Sequence, residues 1–199
     1  MLPLCIAASI AVAPFFTSSA QRQDQHLVLE LQPRRSIVAR RDGLEIEVRL
    51  RNVGTRPAII YPWFVAEPLA RVDPQLTLRF QVRDGSGQIV EAIPEKRPGR
   101  PARLVAGSLA ELYPHYFIGA VVSLSGGAFA HRIQAAGTYH IRASCRSEAR
   151  TWLRSEIGSG RGKLDDVGSG YSKDQEGLGF WDWVFEGELE SEEIVLTVE

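Results

Sequence analysis

The chain has 199 residues, 44% of them hydrophobic and 24% charged, a balance that excludes an intrinsically disordered polypeptide. Its 23 Lys and Arg against 24 Asp and Glu leave a net charge of −1, so no global field recruits nucleic acid or an anionic membrane. The length fits a single domain.

Residues 1–20 contain no charged side chain, and the apolar run 4–16 has 13 residues. That is the length of a signal-peptide core and is short for a bilayer span of ~20 residues. Ser18, Ser19 and Ala20 supply small residues for cleavage, and polar residues follow from Gln21. The expectation is a signal peptide over 1–20, a secreted or periplasmic product, and one domain over 21–199. Cleavage leaves Cys145 as the only thiol, so no intrachain disulfide forms and the fold rests on its core. Cys145 shares parity with Tyr139, Ile141 and Ala143, which predicts a buried small hydrophobe.

Period-two alternation runs through most of the remaining chain. Residues 26–31 read as a first strand that ends before Pro33. In 44–52, Leu44, Ile46, Val48 and Leu50 alternate with Glu45, Glu47, Arg49 and Arg51, the pattern of a half-buried antiparallel strand. After the turn at Val53, Gly54 and Thr55 comes a segment at 58–64 containing Trp63, a candidate inter-sheet aromatic. Residues 75–83 alternate again, and the Asp84, Gly85, Ser86, Gly87 turn predicts a hairpin with 88–93. Further strands are expected at 116–124 and 138–145, with a short turn or helical piece at 129–133 between them. The final segments, 184–191 and 193–198, read as an acidic hairpin whose glutamates protect an exposed edge. Many short strands with Gly, Pro and Asp turns, and few helical stripes, predict an all-β antiparallel sandwich.

The stretch from Leu44 to Gly54, the Ala136, Gly137, Thr138, Tyr139, His140, Ile141 run and the closing Phe185 to Val198 segment resemble secreted bacterial immunoglobulin-like domains. Phe185 stands where that family usually has Trp, ahead of Gly187 and Ser191. The resemblance implies an immunoglobulin-like β-sandwich with long loop insertions, and no particular activity, because sandwiches host adhesion modules, inhibitor scaffolds and accessory domains alike.

The local motifs of several enzyme classes are missing from the sequence. No Gly-x-Ser-x-Gly elbow or His-Glu-x-x-His pair occurs, and one mature Cys excludes a Cys-x-x-Cys zinc site. Gly158 to Lys163 departs from the phosphate-loop pattern at Ile157 and Leu164, and no cofactor is expected. His115, set among Tyr113, Pro114, Tyr116 and Phe117, is expected to be packed or hydrogen-bonded, and His140 to lie on the sheet surface. The basic stretch 94–103 resembles an AT-hook, but Pro98 replaces its first core Arg, so a solvated loop is expected.

The most unusual stretch is 155–182, read as a long loop with seven glycines, several acids and a cluster of aromatics. Tyr171, Phe180, Trp181 and Trp183 are candidates to stack on a saccharide or peptide, with Asp174 and Asp182 accepting hydroxyl hydrogen bonds. Carboxylates binding calcium are a second reading, although the spacing misses the EF-hand pattern and no metal site is assigned. Structural packing is a third, since Trp181 and Trp183 share strand parity. The functional expectation is an exported, non-catalytic binding module for a protein or saccharide partner. Its alternatives are a secreted hydrolase using loop carboxylates and a protease-inhibitor-like domain.

Overall fold

The computed structural model describes residues 26–39, 42–62, 64–66, 76–94, 109–158 and 180–199. Eleven strands are placed among them: β1 Leu27–Pro33, β2 Ile37–Val38, β3 Glu45–Asn52, β4 Ala58–Ile60, β5 Phe64–Ala66, β6 Leu76–Asp84, β7 Ala110–Leu112, β8 Phe117–Ser123, β9 Gly137–Glu148, β10 Glu186–Glu190 and β11 Ile194–Val198. A helix, α1, spans Ala149–Gly158, and a single helical turn spans Phe180–Trp183.

One sheet has the order β1-β3-β8, and the second runs β2-β11-β9-β6-β5, with β10 also on β9; β4 and β7 form a separate pair. Pairing is antiparallel except for the short β2–β11 and β5–β6 contacts. Leu29, Ile46, Val48, Leu50 and Val122 from the first sheet share one core with Leu78, Val82, Ile141, Ala143 and Leu196 from the second. Two face-packed sheets are therefore present, and the alternation expected for 44–52 is realised: Leu44, Ile46, Val48 and Leu50 are buried.

The chain order matches an immunoglobulin-like sandwich. β1, β3 and β8 take the A, B and E places of one sheet, while β6, β9 and the β10/β11 segment take C, F and G in the other. The Tyr139 hydroxyl at the start of β9 donates to the Ala135 carbonyl at 2.7 Å, the tyrosine corner of that fold. Two residues on, where antibody domains carry a disulfide cysteine, Ile141 is fully buried. Aliphatic packing replaces the disulfide. Cys145 is free and buried, as its parity predicts.

Several sequence expectations need correction. The first strand continues through Pro33, opposite Ile46, because β1 is an edge strand where a missing N–H costs little. The hairpin after β6 lasts for little more than the Arg83–Ile89 bridge and the Val90 N–H to Val82 carbonyl bond of 2.9 Å. The chain then turns away because Glu91 and Ile93 bond to Arg132 and Ala130 instead.

Nor do the last two strands form a hairpin. Both run along the same side of β9, with Glu186–Glu190 opposite 144–148 and Ile194–Val198 opposite 137–141. Ser191, Glu192 and Glu193 thus oppose only Arg142 and Ala143, which makes a bulge of one extra residue. Ser191 closes it: its N–H donates to the Ala143 carbonyl at 2.8 Å and its hydroxyl accepts from the Ala143 N–H at 2.9 Å. An odd insertion flips side-chain parity, so Leu189 before it and Leu196 and Val198 after it all face the core.

Candidate functional site

The described part of the candidate region lies at one end of β9. β9 passes directly into α1, whose Ala149 and Leu153 are fully buried and whose Trp152 is half-buried. These residues share one helical face, as i, i+3 and i+4 positions do. They join Ile59, Tyr61 and Val184 in a second, smaller core separate from that between the sheets. Tyr61 and Trp152 meet edge to face, with centroids 6.0 Å apart.

The helical turn Phe180–Trp183 closes this cluster from the other side. Val184 bridges Ile59, and the Phe185 N–H donates to the Ile59 carbonyl at 2.9 Å. The Arg150 guanidinium donates to the Val184 carbonyl at 2.8 Å. Trp181 and Trp183 are both half-buried against the small core. The Arg154 guanidinium lies over the Trp181 ring, 5.1 Å from its centroid, a cation–π contact on one side of the indole. Three tryptophans, Trp152, Trp181 and Trp183, are gathered at one corner, each with its body packed and part of its surface in water.

Of the sequence-nominated residues, Phe180, Trp181, Asp182 and Trp183 fall in this one turn, and Asp182 is exposed. Tyr171 and Asp174 lie outside the described residues, as do Trp63, the loop acids Asp165, Asp166 and Glu176 on which the hydrolase alternative draws, and all of the basic stretch 94–103 but Pro94. Trp181 and Trp183 do not begin a strand; they sit in a helical turn, where strand parity has no meaning. Residues 155–158 likewise end α1 rather than open a loop. The sequence pattern does not single out Trp152, Arg154 or Tyr61. Trp152 alone carries a signal, its spacing with Ala149 and Leu153, a stripe too short to stand out.

Elsewhere, His140 lies on the sheet surface as expected and its Nδ1 meets Glu193 at 3.0 Å. His115 departs from expectation. Its side chain is exposed, and its backbone adopts φ +68, the only positive φ of a non-glycine residue among those described. Pro114 at the second position and a positive φ at the third are the type II turn pattern, closed here by the Tyr116 N–H donating to the Tyr113 carbonyl at 3.1 Å. The His115 N–H donates to the Asn52 carbonyl at 2.8 Å, which seats the turn on the end of β3. Tyr113, Tyr116 and Phe117 are exposed on it. No cluster of three or more His, Cys, Asp or Glu suited to a metal ion occurs among the described residues.

No family model matches the chain, and no curated protein matches it. Among solved structures it is similar to the CARDB domain of the PF1109 protein from Pyrococcus furiosus, crystallised in complex with di-metal ions. The identity is 11% and the TM-score 0.36, over 88% of this chain and 94% of that one. Strand order and the Tyr139 corner define the fold.

Proposed function

We propose that this chain is a binding module that acts outside the cytoplasm, exported by the apolar segment 1–20, and that its recognition surface is the tryptophan corner at the end of β9. The observation that carries this reading is the half-burial of Trp152, Trp181 and Trp183 around a private small core. Aromatic side chains anchored on one side and wet on the other present large, rigid contact area with little ordering entropy left to lose on binding. The Arg154 cation over Trp181 adds a donor fork beside that surface, which suits hydroxyl or carbonyl oxygens of a saccharide or a peptide.

Binding of the full chain to glycan and peptide arrays tests the proposal. Trp181→Ala and Trp183→Ala are expected to abolish the signal while the far-ultraviolet circular dichroism stays that of a β-protein. A signal that survives both substitutions removes the tryptophan corner as the site. For export, the chain is expected in the extracytoplasmic fraction with Gln21 as its new N-terminus. Retention in the cytoplasm with residues 1–20 attached overturns that part.

A further inference from the structure

The β4–β7 pair has a different core behind each of its faces. In its antiparallel register Ala58 lies opposite Leu112, Ile59 opposite Glu111 and Ile60 opposite Ala110. Ala58, Ile60 and Leu112 belong to the core between the sheets, whereas Ile59 belongs to the small core of the tryptophan corner. Residues directly opposite each other across an antiparallel pair point to the same side. Glu111 therefore stands on the side of the tryptophan corner, and strand parity puts Leu109 and Tyr113 there with it. Leu109 packs against the small core accordingly. The Tyr113 hydroxyl donates to the Glu111 carboxylate, which joins the two side chains and raises the phenol above its ordinary range.

A row thus leaves the tryptophan corner at Leu109 and reaches Tyr113 four strand positions on, ~13 Å away. Glu111 is exposed midway, Tyr113 is 53% exposed, and Tyr116 beyond it is 69% exposed. The turn that carries both tyrosines is fixed by the Tyr116 N–H to Tyr113 carbonyl bond and by the His115 N–H to Asn52 carbonyl bond. Its backbone is therefore set before any ligand arrives, which keeps the ordering cost of binding low.

We infer that this row extends the tryptophan corner into a track for a neutral oligosaccharide, with one end of the sugar chain on Trp181 and Trp183 and a later ring on Tyr113. The inference rests on the tryptophan corner being the recognition surface. Chemistry favours a sugar over a peptide. A pyranose presents an apolar face to an aromatic ring, and hydroxyls at its rim that both donate and accept. Glu111 supplies acceptors along the row and the Arg154 guanidinium supplies donors at its start, each beside an aromatic ring. An extended peptide instead wants a long strand edge with pockets for alternate side chains, and β7 has only three residues. Charge favours a neutral sugar over an acidic one. Glu111 repels carboxylates, and the nearby cations Arg49 and Arg51 are already matched by Glu47 and Glu30, at 2.9 and 3.2 Å.

The test is a glycan array of neutral homo-oligosaccharides from mono- to hexasaccharide, probed with the full chain, with the affinities of the hits measured by calorimetry. Affinity should rise with sugar length. Tyr113→Ala and Glu111→Gln should each weaken hexasaccharide binding about tenfold, the scale of an interface hot spot, and leave disaccharide binding and circular dichroism unchanged. Trp181→Ala should weaken both. Affinity independent of length overturns the track while the tryptophan corner stands, and so does hexasaccharide binding untouched by Tyr113→Ala or by Glu111→Gln. Binding to a peptide array with none to glycans has the same consequence. Glycan binding that survives Trp181→Ala and Trp183→Ala removes the corner and the track with it, as does the lack of binding to either array.

Discussion

The backbone N–H and the hydroxyl of Thr151 both donate to the carboxylate of Glu186, each at 2.9 Å. Thr151 lies in the first turn of α1, and Glu186 begins β10, 35 residues later in the chain. A distant strand thus supplies the cap and the negative charge that a helix N-terminus favours. Glu186→Ala should lower stability by about 1 kcal/mol, the usual value of such a cap. Because Trp152 rides on the same helix against Tyr61, the substitution should also shift tryptophan emission to the red. Denaturant titration followed by fluorescence checks both; unchanged emission would mean that α1 holds without the cap.

Asn52 is the only asparagine in the chain and is fully buried. Its amide nitrogen donates to the Arg56 carbonyl at 2.7 Å and the Leu112 carbonyl at 2.8 Å, while its oxygen accepts from the Gly54 N–H at 2.9 Å. One side chain ties the end of β3 to its own turn and to β7. Asn52→Ala leaves buried backbone groups without partners and should cost about 3 kcal/mol. Urea unfolding checks the value, and a loss within the range of an ordinary surface substitution would contradict this account.

Burial pushes the Cys145 thiol up to about 12, and the nearby Glu188 carboxylate adds to the shift. At neutral pH the sulfur is a neutral, inert hydrophobe. Native protein freed of residues 1–20, and with them Cys5, is expected to resist alkylation and disulfide exchange, and to react promptly once unfolded in urea. A stoichiometric thiol titre under native conditions would show an accessible sulfur.

An acid-side pH dependence follows from Asp84. The Ser86 hydroxyl, at 2.6 Å, and the Gln88 and Ser86 backbone N–H groups, at 2.9 Å, all donate to one carboxylate oxygen. The Ser86 hydroxyl bond leads, and together these donors hold the carboxyl below its ordinary range, against a smaller opposing effect of desolvation. A carboxyl depressed in the folded state contributes its full stability above the unfolded-state pKa. It loses that contribution as pH falls through the folded value. Stability should therefore decline through the acid range more steeply in the native chain than in Asp84→Asn. Chemical unfolding at stepped pH compares the two slopes, and parallel profiles would count against it.

Alternation alone marked Leu44, Ile46, Val48 and Leu50 as one buried face and Cys145 as a core residue, because strand parity is a local property set by the backbone. The all-β class and the run around Tyr139 were legible for the same reason. What sequence could not disclose was which segment meets which. The final two strands look like a hairpin, since two strand-like runs, 186–190 and 194–198, flank the short polar stretch Ser191, Glu192 and Glu193. Only pairing with β9 reveals one bulged strand. α1 escaped notice because its apolar stripe is short and its cap, Glu186, comes from another strand. Trp181 and Trp183 read as strand residues until the small core around Tyr61 and Leu153 placed them in a helical turn. Local patterns decide which face of an element seeks burial; long-range contacts, whose partners are far apart in the chain, decide what covers it.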